Sequence, residues 1–146
     1  MHDLLTNPTF LAGFFGWFAA QSIKFTWNLI TNHELDFRYM ISTGGMPSAH
    51  SAAVCGVATS VGIREGVDTT VFAVALAFAL VVMFDAQSVR RAAGQQARIL
   101  NQIVAELFKE HHLSRHKLAE FLGHTRLEVL AGLSLGVLIG FLVHHL

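Results

Sequence analysis

Apolar positions along the chain fall into four long runs separated by polar segments. Residues 9–30 form the first, long enough for a bilayer core that needs ~20 residues of helix. Pro47 to about Ile63 is the second, rich in Ala, Gly and Ser, a composition suited to close helix packing in lipid. Thr69 to Phe84, almost purely apolar, is the third and ends at Asp85. The fourth opens within residues 121–129 and runs to about Val143, with Gly132, Gly136 and Gly140 at four-residue intervals. That glycine stripe predicts a small-residue packing face and marks where a homodimer contact would form. Between the third and fourth runs, Gln95 to Glu110 alternates with the period of an amphipathic helix, Leu100, Ile103 and Leu107 sharing its apolar face. Its charges predict a place at the membrane interface or over the bundle. The pattern predicts an all-α integral membrane helical bundle, about four transmembrane helices plus one amphipathic helix, in a single domain over 1–146.

Composition agrees. Of 146 residues, 53% are hydrophobic and 14% charged. The formal net charge of zero argues against a nucleic-acid partner. Cys55 is the one cysteine, so neither an internal disulfide nor a cysteine-based metal cluster can form. The segment Met1 to Thr6 lacks the basic stretch of a cleavable signal peptide, and none is expected.

Several polar residues break these runs at informative places. Gln21, Lys24 and Asn28 stand at i, i+3 and i+7, on one helical face. A lysine facing lipid is expensive, which predicts that this stripe points into the protein. Gly44-Gly-Met-Pro-Ser-Ala-His50 joins a polar loop to the second run. Pro47 suits a first helical turn, which predicts a helix starting there with Ser48 and His50 at its head, a place favourable to an anion. His33 and Glu34 in the loop 31–46 read as solvated loop residues in preference to a metal pair.

Span order alone brings the polar junctions together. With four alternating spans, Pro47 to His50, Asp85 to Arg91 and Gly123 to Glu128 fall on one side, and Lys24 lies toward that end of the first span. Of the ten Lys and Arg residues, Lys24 lies in a span and Arg64 on the opposite side; the other eight share the side of the junctions. The positive-inside rule therefore turns that side, and its pocket, toward the cytoplasm.

The chemistry of the junctions is that of phosphoryl transfer. His124 and Glu128, four apart at a helix start, lie on one face, where the carboxylate fixes the imidazole tautomer and sharpens the other nitrogen as a nucleophile. His50 is a second histidine, placed to protonate a leaving alcohol. Lys24, Arg90 and Arg91 supply positive charge, and Ser48 a helix start, for a phosphate. Asp85 is expected to pair with Arg90 or Arg91, the alternative being a metal site with Asp36 or Glu34; Gln21 and Asn28 support the site. No metal or cofactor is expected.

The segments Gly44-Gly-Met-Pro-Ser-Ala-His-Ser-Ala52, Asp85-Ala-Gln-Ser-Val-Arg-Arg-Ala-Ala-Gly-Gln-Gln-Ala-Arg-Ile-Leu-Asn101 and Leu122-Gly-His-Thr-Arg-Leu-Glu-Val-Leu-Ala-Gly132 together resemble the divergent branch of the type-2 phosphatidic acid phosphatase and vanadium haloperoxidase superfamily. The resemblance covers nearly the whole chain. It implies the acid role for His50, the nucleophile and orienter roles for His124 and Glu128, and phosphate binding for Lys24. Ala49 stands where the superfamily has Gly, and Glu128 where it has Asp. Thr31 and Asn32 replace the Arg-Pro after the lysine, and Lys117 and Leu118 the Ser-Arg before the nucleophile. The superfamily usually has six spans, against four here.

The activity implied is hydrolysis of a lipid phosphate or pyrophosphate through a phosphohistidine, with membrane lipid around the protein. Two alternatives stay open: a catalytically inactive binder of anionic lipid or phosphate, and a small transporter or structural membrane protein.

Overall fold

In the computed structural model, residues 2–32, 45–107 and 123–145 are described, apart from the side chains of 2, 3, 32, 90, 91 and 105–107. Most of the described residues are helical, with no strand among them. A single turn α1 (His2–Leu5) precedes α2 (Pro8–Asn32), α3 (Ala49–Glu65) and α4 (Thr70–Phe84). A π-helical turn, Asp85–Val89, leads without a break into α5 (Arg90–Leu107), and α6 (Arg126–His145) closes the fold. The protein is thus an all-α helical bundle. Among the described residues, two helical runs, Thr70–Val104 and Arg126–His145, are long and apolar enough to cross a membrane.

Helix α3 is the centre, because its small residues let its neighbours come close. Ala49, Ser51, Ala52, Cys55, Gly56, Ala58, Ser60 and Val61 are all buried. Helix α2 runs antiparallel beside it: a Cβ on Gly16 would stand 2.6 Å from the Ala52 carbonyl oxygen, and one on Gly56 equally close to that of Ala12. Helix α6 runs parallel to α3, with Gly132 against the Ser48 carbonyl, Gly136 against Ala52 and Gly140 against Thr59. Backbones this close gain dispersion contacts that larger side chains would forbid, the main source of helix association where no water is expelled. The glycine stripe expected to mark a homodimer contact is therefore used inside the chain, and Gly132, Gly136 and Gly140 are buried.

The outer faces are apolar and uncovered. Phe14, Phe15 and Phe18 on α2, Val74, Phe78 and Val81 on α4, and Leu130 and Leu138 on α6 are exposed. In water such a surface would be untenable; in a bilayer it is the lipid-facing side.

Three boundaries differ from those the sequence predicts; one is that α6 begins at Arg126, so His124 precedes the helix whose first turn carries Glu128. Helix α3 begins at Ala49, and Pro47 lies outside it, because Ser48 is the N-cap: its backbone is extended and its Oγ accepts the Ser51 N–H at 3.3 Å. The amphipathic helix starts at Arg90 instead of Gln95, since nothing in 85–94 stops helical propagation and the π turn carries the chain through. Its expected end at Glu110, and the loop residues Glu34 and Asp36, lie outside the described residues.

Candidate functional site

The polar stripe of α2 faces inward. Gln21, Lys24 and Asn28 are all buried, at 5, 6 and 6% exposure, among apolar helices. The aliphatic stem of Lys24 runs to the loop before α3, its Cδ 3.9 Å from where a Cβ of Gly45 would stand. Its charge lies within electrostatic reach of the Glu128 carboxylate on α6. A lysine buried in this way needs an anionic neighbour, and Glu128 supplies one.

Two backbone hydrogen bonds bring the junctions together. The Ser48 N–H at the head of α3 donates to the Glu128 carbonyl in the first turn of α6 at 2.9 Å. The His124 N–H donates to the Ala86 carbonyl in the π turn at 3.0 Å. Three segments far apart in sequence are thereby tied at one end of the bundle. π turns of this kind leave carbonyls free to accept from other segments.

His124 is buried, and its Nδ1 lies 2.8 Å from Glu128 Oε2. A carboxylate accepts, so Nδ1 carries a proton and donates it; in the neutral ring Nε2 is then the nitrogen with the lone pair. His50, in the first turn of α3, stands with its ring centroid 6.1 Å from that of His124, the planes 63° apart. Lys24, His50, His124 and Glu128 therefore share one site, at the end of the bundle that span order assigns to them.

Other expected site residues have different positions. Ser48 is fully buried, and its Oγ accepts the Ser51 N–H at 3.3 Å and the Ser51 hydroxyl at 3.1 Å, which makes it the cap of α3. Asp85 opens the π turn. Arg90 and Arg91 begin α5 directly after that turn, but their side chains, and hence any pairing with Asp85, lie outside the described residues. Gln21 lies one turn further into the bundle than Lys24, with its Oε1 buried and without a hydrogen-bond partner among the described residues.

One residue escapes a reading centred on histidines. The Thr125 N–H donates to Glu128 Oε2 at 3.2 Å, and the Glu128 N–H donates to Thr125 Oγ1 at 3.3 Å. This is a reciprocal capping box at the start of α6. The Thr-x-x-Glu spacing ahead of an apolar run is its signature, so the signal is present in the sequence.

Residues 5–139 match the Divergent PAP2 family. The chain is also similar to the uncharacterized membrane protein YuiD of Bacillus subtilis (strain 168), 38% identical over 148 residues, covering 94% of each chain. No solved structure matches at a significant level.

Proposed function

The chain belongs to the divergent PAP2 family, and on that premise we propose that this membrane protein is a phosphatase acting on a lipid phosphate or pyrophosphate through a phosphohistidine. The observation that carries the proposal is the His124–Glu128 bond at 2.8 Å with the His50 ring beside it. In the first step Nε2 of His124 attacks phosphorus as the P–O bond to the leaving group breaks. His50 gives its proton to the departing oxygen. Glu128 holds the Nδ1 proton and stabilises the positive charge that grows on the ring. In the second step water attacks phosphorus, the N–P bond breaks, and His50 takes the proton back from water. Lys24 holds the phosphate oxygens; Arg90 and Arg91, which follow the π turn, supply further positive charge. The apolar surround favours a lipid as substrate, and the bias of basic residues toward the site's end of the chain turns the site to the cytoplasm.

The test is phosphate release by the purified protein in detergent over a panel of lipid phosphates and pyrophosphates, with and without a chelator. Chelator-resistant, vanadate-sensitive release that disappears in His124→Ala is expected. Full activity in that variant would refute the proposal. Saturable phosphate binding without turnover would favour an inactive binder.

A further inference from the structure

The carboxylate oxygen that holds His124 is not held by His124 alone. Glu128 Oε2 accepts both the His124 Nδ1–H at 2.8 Å and the Thr125 backbone N–H at 3.2 Å. The Thr125 hydroxyl closes the ring from the other side by accepting the Glu128 N–H at 3.3 Å. Three successive constraints therefore converge on one rotamer of Glu128: its main chain through Thr125 Oγ1, its carboxylate through the Thr125 N–H, and the imidazole itself.

A Glu side chain has three rotatable bonds, and one hydrogen bond to a histidine leaves most of that freedom. The capping box removes it, because the first turn of α6 can form with its donors satisfied only when the carboxylate folds back toward its own N-terminus. Folded back, it meets the residue immediately before the cap, which is His124. The Glu128 carbonyl, in the same turn, accepts from the Ser48 N–H, so the turn also fixes the start of the helix that carries His50. A fault in the cap would reach both histidines.

We propose that Thr125 is a positioning residue: through the reciprocal cap it locks Glu128, and Glu128 in turn holds His124 in the single tautomer with Nδ1 protonated and Nε2 free before any substrate arrives. The proposal rests on the phosphatase reading for its catalytic consequence, but its structural content stands apart from turnover. Hydrogen bonds that fix a reacting imidazole from outside matter for rate, because small misplacements of reacting atoms cost far more than they cost in folding.

The experiment compares Thr125→Ala, Thr125→Gly and Thr125→Ser with the unchanged protein in detergent. All are labelled with 15N-histidine, and the His124 signals are assigned by their loss in His124→Gln. Glycine is included because it is tolerated at a cap position at a small cost in stability, yet lacks the hydroxyl. The expected result is one His124 tautomer in the unchanged protein and in Thr125→Ser. A mixture of the two tautomers is expected in Thr125→Gly and Thr125→Ala. With a hydrolysed substrate, kcat should fall roughly tenfold in the glycine variant with KM unchanged, and serine should restore it. A single tautomer and full kcat in Thr125→Gly would overturn the proposal, as would a serine variant that fails to rescue. If the unchanged protein turns over no phosphate compound, the phosphatase reading fails, while the tautomer spectra still decide whether Thr125 positions His124.

Discussion

Replacing Gly132 by alanine tests how the two histidines are held in register. A Cβ at 132 would run into the Ser48 carbonyl oxygen and stand 2.9 Å from Ser51 Cβ and 3.1 Å from the Ser48 carbonyl carbon. Two of these three neighbours are main-chain atoms at the cap of α3, which cannot swing aside as the end of a side chain could. Ordinary van der Waals spacing would return only if α3 and α6 separated by about 1 Å at this level. Such a shift would stretch the Ser48 N–H bond to the Glu128 carbonyl, now 2.9 Å, past useful length. Overpacking of this kind costs about 1–3 kcal/mol of stability. Its effect on rate is larger, because His50 rides on α3 and His124 precedes α6, and a displacement near 1 Å between reacting groups costs roughly 100-fold. Gly140→Ala is the control. Its Cβ would meet Thr59 Cβ at 2.7 Å, a comparable overlap, but eight residues along the helix, about 12 Å from Gly132. Both variants should lose thermal stability to a similar degree. Phosphate release should collapse in Gly132→Ala and fall by no more than about threefold in Gly140→Ala. Equal losses in the two variants, or near-normal activity in Gly132→Ala, would refute the idea that this close crossing sets the distance between the histidines.

Other outcomes follow from the same geometry. Glu128→Gln keeps the shape and an acceptor for the cap but removes the charge beside His124 and Lys24; kcat should fall by roughly 10²–10⁴, and the melting temperature should fall too, because buried Lys24 loses its anionic neighbour. Lys24→Met keeps the buried stem and removes the cation, so the protein should fold and its KM for a phosphate substrate should rise; an unchanged KM would remove Lys24 from the site. A nitroxide attached at Phe78, on the exposed face of α4, should be reached by oxygen dissolved in the bilayer and shielded from a water-soluble relaxant. The opposite accessibility would show that α4 does not face lipid.

Much of this arrangement is legible in the sequence because a membrane narrows the choices. Four apolar runs must alternate in direction, so Lys24, His50 and His124 are brought to one end by span order before any contact is known. The Gln21, Lys24, Asn28 stripe is expected to face inward in preference to Lys24 snorkelling to the interface, since three polar residues on one face are harder to place in lipid than a lone lysine, and all three are buried. What the sequence hides is which of several partners a polar group takes. Ser48 beside His50 reads equally well as a phosphate ligand and as a helix cap; the extended backbone at 48 and the Ser51 N–H make it the cap of α3. Gly132, Gly136 and Gly140 announce a close crossing but not with which helix, and α3 within the same chain takes that place. The π turn at Asp85–Val89 has no compositional signature, although its Ala86 carbonyl is what ties the His124 segment down. The capping box was legible as Thr-x-x-Glu, but its link to the histidine was not, because the spacing does not show that one carboxylate oxygen serves both donors.

The most direct measurement is a search for phosphate covalently attached to the protein. The purified protein would be mixed briefly with a 32P-labelled lipid phosphate, quenched in alkali and digested, and the labelled peptide identified. A base-stable, acid-labile phosphate on His124, absent from His124→Ala, is the predicted result. Rapid release of phosphate from the substrate with no label on His124 at any quench time would contradict the account.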